Sequence, residues 1–322
     1  MSKVVVVGSY NQDHVWSTDA LPAPGATRLG GYASGPGGKG FNQAVAAARA
    51  GAATAFVTAL GNDDAAATAR SLATAEGIDL RDQVHTGLPT GTAGIFVDAG
   101  GRNVIVVAPG ANAALTAGFV RAQGSAFDGA RVVLAQLEVA AEAVQAALDA
   151  ATAAGALTVL NPAPANAPTT EAMLAATDVL TPNETEFAAM LARHTDRRAD
   201  PDTLATLPDA ELHALCRALA PLATVVVTLG AAGAFVSHGD AQRGDSGPFY
   251  RLPAQAVAAV DTTGAGDAFS GALAAALAQA GPGRPFAQAL RFASRYAALS
   301  TEHTGAALAM PRQADVTGRF GA

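Results

Sequence analysis

The 322-residue chain is predicted to be an α/β protein, with a mainly parallel sheet covered by helices on both faces and a small β appendage outside it. Short β-rich apolar runs alternate with longer Ala-rich runs along almost the whole length, which is the rhythm of strand–helix units. The β runs are apolar throughout, as strands covered on both faces are. Two segments break the rhythm and carry turn residues instead.

In chain order, residues 4–7, 55–60, 132–136, 157–161, 178–181 and 224–229 read as buried strands. Residues 42–50, 65–76, 140–154, 184–193, 211–219, 266–280 and 286–300 read as helices. The first break, about residues 11–34, holds Pro22, Pro24 and many glycines between short strand-like pieces. The second, 92–98 and 103–107 around Gly100-Gly101, reads as a hairpin, and the two together would form the appendage. Residues 193–209 are polar with two prolines and read as a surface loop.

Half the residues are hydrophobic and 15% are charged, which describes a folded globular chain near the upper size of a single core. A formal charge of −7 argues against nucleic acid or an anionic membrane as partner. The one cysteine, Cys216, rules out an intrachain disulfide and fits a reducing compartment. The apolar run at the N-terminus is too short for a signal peptide, and no stretch approaches about 18 uninterrupted apolar residues, so a cytoplasmic protein is expected. Lysine is nearly absent: Lys3 and Lys39 stand beside 18 arginines, so a lysine inside a glycine cluster calls for a reason.

The most informative stretch is Asp261-Thr262-Thr263-Gly264-Ala265-Gly266-Asp267, which opens the Ala-rich run 268–280. A helix start exposes unpaired N–H groups and about half a positive charge, and glycines let an anion come close. Phosphate would repel Asp267 unless that carboxylate takes a proton beside it. A cap at Thr262 or Thr263 would explain an acid in the first turn, yet a cap does not need Gly-Ala-Gly.

A second cluster, Gly35-Pro36-Gly37-Gly38-Lys39-Gly40-Phe41-Asn42-Gln43-Ala44, matches the G-x-G-x-x-G spacing at Gly35, Gly37 and Gly40. No buried strand is expected before it, and Gly40 stands where a P-loop needs Ser or Thr, so dinucleotide and P-loop readings both weaken. A glycine loop opening a helix, with Lys39 and Asn42 aimed at a polyhydroxyl ligand or phosphate, fits better. Past the first strand, Asn11 and Asp13 lie two apart in an extended stretch and would share a face, dividing donor and acceptor duties on vicinal hydroxyls. Glu138 and Asn161 follow strands in the same way. Asn183 and Glu186 are spaced either as a capping box or as support for magnesium and phosphate. Residues 228–233 make a glycine turn suited to close approach by a nucleotide.

Together these segments, including Gln136-Leu137-Glu138, Asn161-Pro162-Ala163-Pro164 and Thr181-Pro182-Asn183-Glu184-Thr185-Glu186, resemble the ribokinase-like (pfkB) carbohydrate kinases over almost the whole chain. The resemblance implies one kinase domain over residues 1–322: a ribokinase-like three-layer α/β/α sandwich of eight or nine strands. Residues of about 11–36 and 92–107 would be a β lid that covers the sugar and forms a homodimer interface. It implies transfer of a phosphoryl group from ATP to the 5-hydroxyl of D-ribose, with Asp267 as base and the backbone of Gly264, Ala265 and Gly266 as anion hole. Asn11, Asp13, Gly38, Lys39, Asn42 and Glu138 would hold the sugar. Asn183, Thr228, Gly230, Gly233, Gly266 and Ser294 would meet ATP, Ser294 standing where Asn or His is common. Glu186 would act indirectly on Mg2+, while Asp261, Thr263, Ser300, His303 and Gly305 would surround K+. At Ala309 the family often offers a serine hydroxyl. Phosphorylation of deoxyribose, fructose or a nucleoside on the same fold, or a non-catalytic sugar-binding regulator, are the alternatives.

Overall fold

The computed structural model describes residues 3–239, 241–280 and 284–321. Strand β1 (Lys3–Val7) leads into β2 (Asn11–Thr18) and β3 (Gly31–Gly37), then α1 (Lys39–Arg49), β4 (Ala53–Leu60), α2 (Asp64–Ala75), β5 (Asp79–Val84), β6 (Gly91–Asp98) and β7 (Asn103–Ala108). The short helices α3 (Ala117–Ala122) and α4 (Gly124–Phe127) precede β8 (Ala130–Ala135), α5 (Ala141–Ala153), β9 (Leu157–Leu160), α6 (Glu171–Ala175) and β10 (Val179–Leu180). The rest is α7 (Glu184–His194), α8 (Asp209–Leu219), β11 (Thr224–Thr228), β12 (Ala234–Ser237), β13 (Phe249–Leu252), α9 (Ala265–Gln279), α10 (Phe286–Ser300) and α11 (Gln313–Phe320).

Nine strands form the main sheet in the order β13-β12-β11-β10-β9-β8-β1-β4-β5. All pairs from β11 to β5 are parallel, and β12 runs against both of its neighbours. Alternation along β1 divides the core. Val4 and Val6 pack with α1, α2, α9 and α10 on one face. Val5 and Val7 pack with α5, α7 and α8 on the other. Because β1 is covered on both sides, it reads as unbroken valine.

A second sheet, β3-β2-β6-β7, stands outside this core. Here β2 pairs parallel to β6 and antiparallel to β3, setting Asp13 opposite Gly35 on one side and Ala93 on the other. Trp16 stacks on Phe96 with centroids 5.2 Å apart, and Tyr32 closes on Trp16 at 5.4 Å. Along β7 every residue is exposed, Ile105 and Val106 included.

The structure differs from the sequence reading at identifiable places. A strand does precede the glycine cluster, but β3 is a largely exposed strand of the outer sheet, so the buried strand of a dinucleotide motif is still missing. The polar segment after α7 is not a plain loop: Pro201–Thr206 winds into a 3₁₀ turn that buries Leu204. Strand β5 is polar and half-buried, β12 and β13 are short antiparallel additions near the edge, and α11 buries only Val316. None of these presents the apolar periodicity by which elements are recognised. No helix among the described residues is long and apolar enough to cross a membrane.

Candidate active site

The site forms where the parallel strands end and two helices begin. Helix α9 starts behind Gly264, whose φ of 75° is left-handed and therefore suits glycine. A Cβ on Gly264 would lie 3.0 Å from the Ala306 methyl, whereas one on Gly266 would meet nothing within 4 Å. The turn is thus pinned on one side and open on the other. The Ala265 N–H donates to the Thr262 carbonyl at 3.2 Å, whereas the next amides of the first turn of α9, Gly266 and Asp267, have no carbonyl one turn back to bind.

They face a cavity of about 160 Å³ lined by Lys39, Asn161, Thr181, Asn183, Glu186, Thr228, Thr262, Gly264, Ala265, Gly266, Asp267 and Ser270. Asp267 is buried; its Oδ2 accepts from Asn42 Nδ2 and its Oδ1 from Gln43 Nε2, both at 2.9 Å. Burial pushes the Asp267 carboxyl above the usual range; Lys39 and the two amides oppose the rise and Glu138 adds to it. Burial also opposes charge on Lys39, but Asp267, Glu138 and Glu186 outweigh it and raise the ammonium pKa.

Lys39 is the first residue of α1, behind Gly38 at φ 85°. A Cβ on Gly38 would lie 2.6 Å from the Asn11 nitrogen, so this glycine lets the helix start press against the beginning of β2. Gly40 does the same against Gly8, 2.5 Å from its carbonyl carbon. The Lys39 N–H donates to Glu138 Oε2 at 3.0 Å, and Ser9 Oγ donates to the same oxygen at 2.5 Å. Asn11 and Asp13 share a face of β2. Asn11 Oδ1 accepts from Asn112 Nδ2 at 2.9 Å, which leaves the Asn11 amide N–H groups for a ligand. The Asp13 carboxylate lies directly against Gly37, where any side chain would collide with it. Burial, with the charges of Glu138 and Asp267, pushes the Asp13 carboxyl up to about 7.

A second cavity of about 320 Å³ opens toward the outer sheet, lined by Asn11, Asn112 and Glu138 with apolar walls from Val107, Pro109, Leu137 and Val139. Glu138 and Lys39 line one cavity each and join them through their bond.

Asn183 and Glu186 do form a capping box, with Glu186 Oε2 accepting the Asn183 N–H at 2.8 Å and Asn183 Oδ1 accepting the Glu186 N–H at 2.9 Å. Both still line the cavity, so cap and site are one structure rather than rivals. A backbone bridge sets Thr228 beside Asn183. Gly230, Gly233 and Ser294 lie outside the cavity's lining. Gly233 has a packing reason of its own: at φ 90° its Cα lies against the Leu252 carbonyl, leaving no room for a side chain. Ser294 sits midway along α10.

Before the anion turn, Asp261 ties two loops together, its Oδ1 accepting the Thr263 N–H and its Oδ2 the Gly305 N–H, each at 2.9 Å. Burial would raise its carboxyl, but those bonds hold it below the usual range. Ser300 Oγ donates to the Ala297 carbonyl, the His303 N–H donates to the Ser300 carbonyl, and Ala309 presents only a buried methyl.

Sequence reasoning missed the residues that orient these groups: Ser9, Gln43, Asn112, Gln136, Thr181 and Ser270. Gln43 and Gln136 sit inside the motifs that carried the resemblance, but nothing in their spacing marks a role. Asn112 lies in a Gly-Ala-Asn-Ala-Ala stretch without any pattern, and only the fold brings it against Asn11.

Comparison with known proteins gives the family and bears out the fold. The model of the pfkB family carbohydrate kinases matches residues 1–313. The chain is 36% identical over 312 residues to a ribokinase of Haemophilus influenzae, covering 96% of this chain and 95% of that one. It is 39% identical over 280 residues to a bifunctional ribokinase/ribose-5-phosphate isomerase A of Fructilactobacillus sanfranciscensis, covering 86% of this chain but spanning about half the length of that relative (49%). Among solved structures, the ribokinase of Giardia lamblia superposes with a TM-score of 0.84 at 30% identity, over 99% of this chain and 98% of that one. An Arabidopsis thaliana ribokinase complexed with ribose and ATP does so with 0.76 at 29% identity, over 98% and 97%. A nine-stranded α/β sandwich with its glycine turn, its buried carboxylate and this likeness over nearly its full length belongs to the pfkB family of carbohydrate kinases.

Proposed function

We propose that the chain transfers the γ-phosphoryl group of ATP to the 5-hydroxyl of D-ribose in the cytoplasm, giving D-ribose 5-phosphate and ADP. The observation that carries this reading is one buried carboxylate, Asp267, in the first turn of α9 beside the cavity-lining backbone of Gly264, Ala265 and Gly266. Asp267 removes the hydroxyl proton as the oxygen attacks phosphorus and the bond to ADP breaks. The helix-start amides stabilise the charge on the transferred group. Asn11, Asp13, Gly38, Lys39, Asn42 and Glu138 hold the sugar, a donor–acceptor set suited to vicinal hydroxyls. Asn183 and Thr228 meet the nucleotide, which the likeness to an Arabidopsis thaliana ribokinase complexed with ribose and ATP supports.

No group of three or more acidic, His or Cys side chains among the described residues could enclose a metal ion. Magnesium would be held by the phosphates and water, with Glu186 acting through water. Bound so, magnesium would neutralise charge on the phosphates. Asp267→Asn should keep nucleotide binding and lose at least about a hundredfold in kcat, the scale of a positioned general base. A variant retaining more than about a tenth of parental turnover would refute the base assignment.

Asp13 makes a prediction about pH. Its folded-state pKa of about 7 lies above the ordinary 3.8, so the folded protein binds this proton more tightly than the unfolded chain does. Its contribution to stability is then favourable at low pH and is lost as pH rises through 7. In the absence of sugar, Asp13→Asn should raise the melting temperature at about pH 8 and raise it less at about pH 6. The KM for ribose of the parent should climb as pH falls below about 7, because the carboxylate accepts from hydroxyls. A ribose KM that is flat across this range would remove Asp13 from the sugar site.

We further propose that potassium binds among Asp261, Thr263, Ser300, His303 and Gly305, chiefly through carbonyl oxygens and the Asp261 carboxylate. Oxygen donors of this kind suit a hard cation, and Asp261 is held in its anionic form. With a methyl at Ala309 in place of a hydroxyl, stimulation should be weak or need high concentration. Titrating potassium into sodium- and potassium-free buffer at constant ionic strength reads this directly, and a flat response would show that the site is lost.

The outer sheet is read as a lid and homodimer interface. Its exposed Trp16, Tyr32, Phe96, Val104 and Val106 form an apolar face that one chain leaves uncovered. Sedimentation should find a dimer, and a fully active monomer at assay concentration would rule the interface out.

A further inference from the structure

Asp267 is gripped by two consecutive side chains of α1, and they are anchored differently. Asn42 Nδ2 binds Oδ2, but Asn42 Oδ1 is buried with no protein partner. The Gln43 amide, by contrast, is held at both ends. Its Oε1 accepts from Gln136 Nε2 at 2.5 Å, just past the end of β8. Its Nε2 donates to Asp267 Oδ1 at 2.9 Å and to Asn161 Oδ1 at 3.0 Å, just past the end of β9. Asn161 is in turn fixed by donating from Nδ2 to the Thr181 carbonyl at 2.8 Å, just past β10. All four of these side chains are buried, and Gln43 and Gln136 are wholly so.

We propose that Gln43 is the positioning residue for the base, fixing the Asp267 carboxylate against the ends of three adjacent parallel strands while Asn42 is left to serve the sugar. The inference rests on the reading of Asp267 as general base. A flipped Gln43 amide would set its oxygen against Asp267 Oδ1 and Asn161 Oδ1 and its N–H groups against Gln136 Nε2. The amide therefore has one allowed orientation, with its donor toward the carboxylate. Neither Asn42 Nδ2 nor Gln43 Nε2 can accept a proton, so both bonds favour the ionised acid. One carboxylate oxygen is thereby locked by a partner that cannot turn away, and a lone pair on the other remains for the sugar hydroxyl. Gly271 makes this reach possible: a Cβ there would lie 2.5 Å from the Gln43 carbonyl oxygen, so α9 approaches α1 as closely as backbone allows.

Other groups bear on the ionisation of Asp267: Lys39 from the start of α1, Glu138 past β8, Asp13 from β2 and Glu186 from α7. None of them donates a hydrogen bond to the carboxylate. The test is Gln43→Met, which keeps the length of the side chain and removes the donor without adding a charge. With ribose saturating, kcat should fall about tenfold or more, with KM for ribose and ATP changed less than about threefold. The acidic limb of the kcat–pH profile should move up by about one pH unit, the loss expected when a hydrogen bond to a charged group is removed. A residue that only fills space would leave that limb where it is.

Gln136→Met is the second variant, because it touches no atom of Asp267 and frees only the Gln43 amide. It should shift the limb in the same direction by a smaller amount. An acidic limb unmoved in both variants, or in Gln136→Met alone should Gln43→Met not fold, overturns the proposal. Asp267→Asn in the same assay separates the two readings. If Asp267→Asn is inactive while the Gln43 and Gln136 variants match the parent, only the positioning role fails. If Asp267→Asn is active, the base itself is misassigned.

Discussion

Taking the Asp267 carboxylate out of water is a cost that the surrounding structure has to offset, and most of the site can be understood as the means of doing so. An isolated buried carboxylate is strongly disfavoured in its charged form and would simply take up a proton. Here it sits in the first turn of a helix, where the backbone field favours negative charge, and it receives one amide donor on each oxygen. Lys39 adds a nearby positive charge. Burial still wins in direction, since the pKa of Asp267 lies above the ordinary value. A carboxylate in that state is a better proton acceptor than one in water, which is the property a base for an alcohol requires.

The same constraint explains why the site lies at the ends of parallel strands. Each strand that stops beneath α9 releases one polar side chain upward: Gln136 after β8, Asn161 after β9, Thr181 after β10. Adjacent parallel strands end side by side, so residues that are about twenty apart in sequence become neighbours in space. The helices must come very close to use them. Gly38 against Asn11, Gly40 against Gly8 and Gly271 against Gln43 are backbone approaches that any side chain would prevent. These glycines serve the geometry of the pocket rather than the flexibility of the chain.

Beside Lys39, burial with the charges of Glu138 and Asp267 raises the Asp13 carboxyl, and burial with the charge of Asp267 raises that of Glu186. Such a concentration of like charge is unfavourable in the free protein. Hydroxyl donors from a sugar would relieve it, and an apolar ligand would not. On the proposed reading, the arrangement trades stability of the empty site for preference toward a polyhydroxyl partner. In a chain with so little lysine, Lys39 is the group that makes this cluster tolerable.

Read alone, the sequence was enough to determine the class of the fold and to nominate residues for the candidate site. Unbroken apolar strands such as β1 and Ala-rich helices such as α9 carry their periodicity locally, and Gly-Ala-Gly-Asp at a helix start has few other uses. Polar β5, the brief antiparallel β12 and β13 and the thinly buried α11 were not legible, because their order comes from neighbours rather than from their own pattern. That residues 11–37 and 91–108 join in an outer sheet was legible, but the parallel pairing of β2 with β6 was not, since it depends on how the main sheet delivers their ends. Candidate ligands such as Asp13, Lys39 and Asp267 stood out by residue type. Their supports, Gln43, Gln136, Asn112 and Ser9, did not, because hydrogen bonds between residues about a hundred positions apart exist only once the strands are laid side by side.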